Sequence, residues 1–227
     1  LINTNIKSFI YYIALTKSVN KPSLIISLEH QLRNKLPGKL AQKIMRPKYR
    51  GSKNKNYTIN NAISSAVLIL LFKEKNVFKY YLTLRSNNVG KHKGQISLPG
   101  GSQEKNESLE STALRETEEE IGIDKDTIYI IGKLTKLYVP VSDFCIYPFV
   151  GWTNNVSGKK PSDEVEKIFN VPLSELLNKN NEKHRQKSLN NKLTKVPYFN
   201  LRNNEVWGAT AMILSEFKKI LESIKSN

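Results

Sequence analysis

Between residues 101 and 123 the chain reads GSQEKNESLESTALRETEEEIGI, and this stretch limits what the rest can become. At about 100° per residue, Glu116, Glu119 and Glu120 fall within one quadrant of a helix, while Leu114, Thr117 and Ile121 gather on another. Such a helix buries one side and presents three like charges on another. Those charges repel unless a cation sits among them. All-oxygen ligands suit a hard ion that keeps several waters and holds substrate phosphates, so Mg2+ or Mn2+ is the expected occupant. Leu98-Pro99-Gly100-Gly101 supplies a tight turn just before, and Ser108, with Ser111 three residues on, offers a helix start. A merely solvated acidic helix fits the surroundings poorly. Residues 101–126 hold nine acids and three bases, in a chain whose formal net charge is +16.

Gly101, five residues, Glu107, seven residues, then Arg115-Glu116-Thr117-Glu118-Glu119-Glu120-Ile121-Gly122-Ile123 resembles the Nudix box, GX5EX7REUXEEXGU, with Thr117 at a position usually aliphatic. A pattern that fixes this many residues at set spacing is far more specific than a lone glycine motif. The resemblance implies an α/β fold, a Nudix-type α/β/α sandwich with a mixed β-sheet and the box as a loop-helix.

The chain in order agrees with that expectation. Length and a hydrophobic content of 39% suit one domain with an ample core, or one domain plus a terminal arm. We assign residues 1–55 to an N-terminal helical arm packing on the domain and residues 56–227 to the domain itself. Phe9 to Leu15 is a short apolar run with no small-residue cleavage site after it, so an N-terminal helix or ordered arm is expected there rather than a secretory leader. Ser23 is placed to cap a helix through Leu24, Leu28, Leu32 and Leu36, stopped by Pro37-Gly38. GSKNKN reads as a linker. Ala62 to Phe72 is a continuous apolar run ending in Lys73-Glu74-Lys75-Asn76, and Val77 to Arg85 is rich in β-formers; together they predict a central strand and its hairpin partner. Ile96 to Leu98, Ile128 to Leu137 and Cys145 to Trp152 are further strands, with a loop at Val139 to Asp143. Pro172 to Leu177 and Gly208 to Ile224 read as helices, Asn178 to Lys195 as an exposed loop, and Pro197-Tyr198-Phe199 as a renewed strand.

The single Cys145 excludes an internal disulfide and a cysteine zinc cluster, which suits a reducing, cytoplasmic setting, and no apolar run approaches membrane-spanning length. Outside residues 101–126 the chain carries 33 bases against 11 acids, a surface that attracts polyanions. The lysines are scattered rather than clustered, so most of this surplus reads as composition.

Upstream of the box, Leu82-Thr83-Leu84-Arg85-Ser86, His92, Gly94-Gln95 and Pro99-Gly100-Gly101 resemble the signature of coenzyme A-cleaving Nudix hydrolases. Leu36-Pro37-Gly38, Pro148-Phe149-Val150-Gly151, Asp163-Glu164-Val165 and Trp207-Gly208-Ala209-Thr210-Ala211-Met212 look like the same subfamily. Leu98 departs from its usual Phe, and Val89-Gly90 stands where Leu-Arg is usual, removing one cation. The resemblance implies hydrolysis of coenzyme A to adenosine 3′,5′-bisphosphate and 4′-phosphopantetheine. The alternatives are a Nudix pyrophosphatase acting on NADH, dinucleoside polyphosphates or capped RNA, and an inactive nucleotide-binding module.

Each candidate residue has a stated role. Glu116, Glu119 and Glu120 form the metal shell, and one of them, or Glu164 from a neighbouring loop, takes the proton of the attacking water. Glu164 is equally readable as a surface acid. Arg115 orients a carboxylate, with Glu107 the nearest in sequence. Arg85 and Lys93 are placed to grip phosphate, and His92 and Gln95 to hydrogen-bond it; each also has a plain surface or turn-bracing reading. A small nucleotide-type substrate is the expected partner and a homodimer is allowed, with neither nucleic acid nor a membrane expected.

Overall fold

A computed structural model of the chain describes residues 21–47, 62–86, 94–156, 163–189 and 192–225. The expectations for residues 1–16, for the GSKNKN linker and for Val89, Gly90, His92 and Lys93 therefore lie outside the described residues.

The apolar run at 62–72 becomes β1 (Ile63–Glu74), the strand on which the sheet is built. Alternation splits its side chains between two buried faces: Ala66, Leu68, Leu70 and Phe72 point to one core, Ile69 and Leu71 to the other. Burial on both faces is why the strand reads as a continuous apolar run. Lys75 and Asn76, both with positive φ, turn the chain into β2 (Val77–Arg85), paired antiparallel from Leu71↔Tyr80 to Glu74↔Val77. Nearer its start, β1 pairs with β4 (Gly100–Ser102) on the same edge. Its other edge runs parallel to β7 (Phe144–Trp152), from Ile63↔Phe144 to Leu71↔Trp152. β3 (Ile96–Ser97) and β8 (Val165–Pro172) pair with β2, and β5 (Tyr129–Lys133) and β6 (Leu137–Val139) with β7, completing a mixed eight-stranded sheet.

Helices cover both faces. α1 (Ser23–Leu32) and α2 (Gly38–Ile44) precede the sheet, and α1 buries Ile25, Leu28 and Leu32 in the core that holds Trp152. A side chain at Gly132 of β5 would meet Leu32 at 2.7 Å, so glycine sets how closely α1 can lie. On the opposite face α3 (Leu109–Ile121) packs Ala113 and Ile121 against Ala66, Leu68, Leu70 and Phe72. The short α4 (Leu173–Leu177) leads to a second, three-stranded sheet of β9 (Glu182–Leu189), β10 (Lys192–Leu201) and β11 (Asn204–Trp207), and α5 (Gly208–Lys225) closes the chain. The arrangement is an α/β/α sandwich around a mixed sheet.

Four expectations are corrected. The stretch 178–195, read as an exposed loop, forms β9 and the start of β10, strands paired from Lys192↔Leu189 to Phe199↔Glu182; charged strands carry no apolar alternation to reveal them. Ile128 to Leu137 is two short strands, with a register shift between Ile130 and Gly132. Val139, placed in a loop, ends β6. Ser23 makes no side-chain cap, and α1 stops at Leu32, before Pro37.

α5 carries Glu216, completely buried and held by neutral donors. Its carboxylate accepts from Gly38 N (3.1 Å), Gln42 Nε2 (2.9 Å), Thr135 N (3.3 Å) and Thr135 Oγ1 (2.7 Å), tying α2 and the β5–β6 connection to α5. Glu216→Ala strands these donors, so we expect a loss of about 3 kcal/mol, with Glu216→Gln milder, read from denaturant midpoints.

Candidate active site

The site is assembled where β4 meets α3. Leu68 N donates to Pro99 O at 2.9 Å and Gln103 N to Ser64 O at 2.9 Å, pinning the PGG turn across β1. Gly100 has φ 151°, and a Cβ there would lie 2.6 Å from Val67 Cα, so only glycine fits. A Cβ on Gly101 would overlap the Glu116 carboxyl group, so the absent side chain leaves Glu116 its place. Ser108 then caps α3, its Oγ accepting from Ser111 N at 3.0 Å, and Gly122 ends it in the left-handed region at φ 69°. Thr117 is fully buried, and its hydroxyl donates to Ala113 O at 2.6 Å, which is how a polar residue occupies an apolar position.

Arg115 is the hub of the acidic helix. Its Nε and Nη2 donate to Glu107 Oε1 and Oε2 at 2.9 and 3.2 Å, a bidentate fork, and Nη2 also reaches Ser102 O at 3.3 Å. Its Nη1 donates to both Glu116 Oε1 (2.9 Å) and Glu119 Oε2 (3.0 Å), so one nitrogen stands between two of the three carboxylates. The Arg115 hydrogen bond, with help from the Thr112 hydroxyl at 2.8 Å, holds the Glu107 carboxyl down at about 2 against the opposing effect of burial.

Glu120 has the opposite environment. It is 6% exposed and receives the Gly100 N–H, while Thr83 Oγ1 lies 3.5 Å away and itself pairs with Ser97 Oγ at 3.2 Å. Burial, then the charge of Glu116, pushes the Glu120 carboxyl up to about 8, and Arg85 only partly offsets this. Burial likewise raises Glu116, with Arg115 opposing. Glu119 is exposed and held by Arg115 Nη1.

Across the mouth, a register shift between Leu84 and Arg85 in the β2–β8 pairing turns Arg85 so that its Nη2 meets Glu164 Oε2 at 3.2 Å. The Arg85 Nε is buried without an acceptor. Gln95 lies alongside, its carbonyl accepting from Arg85 N at 3.0 Å. The charges of Arg85 and Glu164 both act on Glu120, and that of Glu164 on Glu116, so these strand ends face the acidic helix. The structure thus brings Arg115, Glu116, Glu119, Glu120, Arg85, Gln95 and Glu164 together. Sequence reasoning missed Thr83, Ser97 and the Gly100 amide; Thr83 stood inside the quoted Leu82–Ser86 motif.

The donor set suits a hard divalent cation: all its ligating atoms are oxygens, and Glu120 is a buried acid whose charge is only partly compensated. Among the described residues no three acidic, His or Cys side chains are gathered closely enough to hold an ion as they stand, because Arg115 engages Glu116 and Glu119.

Glu107 provides a test by pH. Its ordinary value is near 4.5 and its folded value about 2, so the stability it contributes is complete above about pH 4.5 and is lost as pH falls towards about 2. Glu107→Gln should therefore be less stable than wild type by a constant margin at pH 5–7, and that margin should close below about pH 4.5, measured by urea unfolding across pH.

A model of the NUDIX domain matches residues 63–191. Nudix hydrolase 3 of Caenorhabditis elegans is 36% identical over 124 residues, 53% of this chain and 51% of that protein. A Nudix hydrolase named NudL, from Photorhabdus laumondii, is 32% identical over 164 residues, covering 71% of this chain and 86% of its own length. Nudix hydrolase 15, mitochondrial, of Arabidopsis thaliana is 31% identical, covering 66% and 55%. The chain thus spans about half the length of the first and third of these relatives. Among solved structures, a MutT/nudix family protein from Enterococcus faecalis aligns with a TM-score of 0.48 at 15% identity, covering 89% of this chain and 76% of that one. With the domain matched over more than half of its residues, and a relative covered over most of its length, the chain belongs to the Nudix family.

Proposed function

We propose that this chain is a metal-dependent hydrolase of a nucleoside-diphosphate-linked substrate, and that the substrate is coenzyme A or one of its thioesters. The observation that carries the reaction class is the buried Glu120 beside Glu116, with Arg85 and Glu164 facing them across the mouth. The coenzyme A reading rests on the likeness of the Leu82–Ser86, Gly94-Gln95 and Pro99–Gly101 residues to the signature of coenzyme A-cleaving Nudix hydrolases.

Glu116, Glu119 and Glu120 would hold Mg2+ or Mn2+, which when bound acidifies water and neutralises charge on the leaving phosphate. Arg115 is a positioning residue: its fork to Glu107 keeps Nη1 beside Glu116 and Glu119. Arg85 supplies a buried, unpaired Nε–H to a phosphate oxygen. Glu164, next to that guanidinium, takes the proton of the attacking water as the new phosphorus–oxygen bond forms and the bridging bond breaks. Gln95, with His92 and Lys93, completes the phosphate contacts in this reading. No helix of the described residues is long and apolar enough to cross a membrane.

Turnover of coenzyme A, NADH, diadenosine polyphosphates and capped RNA, with product masses, separates the alternatives. Release of 4′-phosphopantetheine is expected, and a preference for another diphosphate would replace the substrate while keeping the chemistry. Glu119→Gln and Glu120→Gln should each lower turnover roughly a hundredfold or more with the fold intact, and Mn2+ should raise the melting temperature of wild type more than that of Glu120→Gln. Near-normal rates in both variants would remove the metal-shell assignment, and no hydrolysis of any diphosphate by wild type would overturn the enzymatic reading.

A further inference from the structure

The small sheet of β9, β10 and β11 takes no part in the chemistry above, yet it gathers cations around an indole. Alternation along β9 puts Lys183, Arg185 and Lys187 on one face, opposite Tyr198, Val196 and Thr194 of β10, and Trp207 of β11 is in register with Tyr198. The Lys187 ammonium stands 3.9 Å from the centre of the Trp207 ring, and the Arg185 guanidinium 5.7 Å from it. Arg185 is paired with Glu205 through Nη1, but its Nε is buried without an acceptor. Burial and the neighbouring Arg185 push the Lys187 ammonium below its usual pKa, and Glu205 relieves this only in part. Charged residues on an edge strand ordinarily guard against strand pairing, which accounts for exposed Lys183. That role does not call for a lysine drawn over an indole or an arginine N–H buried with nothing to accept it.

The position of the cluster is informative. β11 packs beside β3, the strand whose Ser97 hydroxyl meets Thr83 and which leads directly into Gly100. The small sheet that carries the cluster therefore touches, through β11, the strand that leads into the candidate site.

We propose that Arg185, Lys187 and Trp207 form a second anion site, which takes a phosphate monoester carried by a nucleotide at a distance from the diphosphate that is cleaved. One oxygen of the dianion accepts from Arg185 Nε, another pairs with the Lys187 ammonium, and the indole flanks the attached sugar or base. The assignment rests on the nucleotide-substrate reading above, where such a monoester is the 3′-phosphate of coenzyme A.

Trp207 makes the test direct. The chain has two tryptophans, and Trp152 is buried in the core at 1% exposure, so quenching by a bound ligand reports on Trp207. Adenosine 3′,5′-bisphosphate should quench the emission of wild type, AMP should bind at least tenfold more weakly, and Trp207→Phe should abolish the response. Lys187→Gln and Arg185→Gln should each raise the Kd for the bisphosphate roughly ten- to hundredfold, with Arg185→Lys and unchanged melting temperatures as controls for folding. Equal binding of AMP and the bisphosphate, or a Kd unmoved by both substitutions, would overturn the proposal. The two readings fail separately. Bisphosphate binding that needs Lys187 in a protein that cleaves no diphosphate keeps this site and removes the reaction, whereas coenzyme A cleavage without such binding does the reverse.

Discussion

Everything at the site depends on the approach of the Gly100-Gly101 backbone to β1. Ser65, Ala66 and Val67 pair with Ser102, Gly101 and Gly100, which is close enough that a side chain on Gly100 would enter the backbone of β1. Two glycines cost conformational entropy in the unfolded chain, and the return is positional. β2 holds the far half of the β1 edge and β4 the near half, so the chain is delivered into α3 from the middle of the sheet. Glu116 thereby comes to lie over Gly101, and Glu120 receives the Gly100 N–H.

On this frame one arginine divides the acids into two populations. Glu107, gripped by the Arg115 fork, is an obligate anion that braces the loop before α3. Glu120, one turn further along the helix and beyond the guanidinium, sits in low dielectric with Glu116 as a neighbour and is raised by both. Burying a carboxylate without a full counter-charge is destabilising, and the raised Glu120 carboxyl is the expression of that cost. Arg115 meanwhile engages Glu116 and the more exposed Glu119.

How much of this was legible in the chain follows from the physics of each part. β1 and the acidic helix were readable because burial on two faces, or on one stripe, leaves a periodic trace. β9, with the sequence EKHRQKSL, has no such trace; it is held by β10 and by the Lys218–Glu182 ion pair at 2.6 Å from α5, neither visible locally. The glutamates of the site were legible from spacing alone, and the Arg115–Glu107 contact lies within one local motif. Thr83 and Ser97 were not, since their meeting is a product of strand register, Thr83↔Ser97, that no short-range pattern encodes. Glu164 could be named from its surroundings, but its partner Arg85 comes from 79 residues away.

The basic composition can now be divided in the same terms. Lys21 and Arg33 pair with Glu29, Lys79 with Glu74, Lys125 with Glu118, Lys219 with Glu222 and Arg202 with Glu175, all surface or half-buried contacts of small individual value. These pairs engage six of the 36 lysines and arginines, and at physiological ionic strength the field of exposed cations is screened within about 8 Å. A net charge of +16 is then a weak argument for attraction of polyanions in general. Cations that are desolvated and short of acceptors are a stronger one, because screening reaches them least and an anion gains most by meeting them. Two described arginines, each paired with a glutamate through one Nη, keep a buried Nε without an acceptor: Arg85 beside the acidic helix, and Arg185 on the small sheet whose β11 packs against β3.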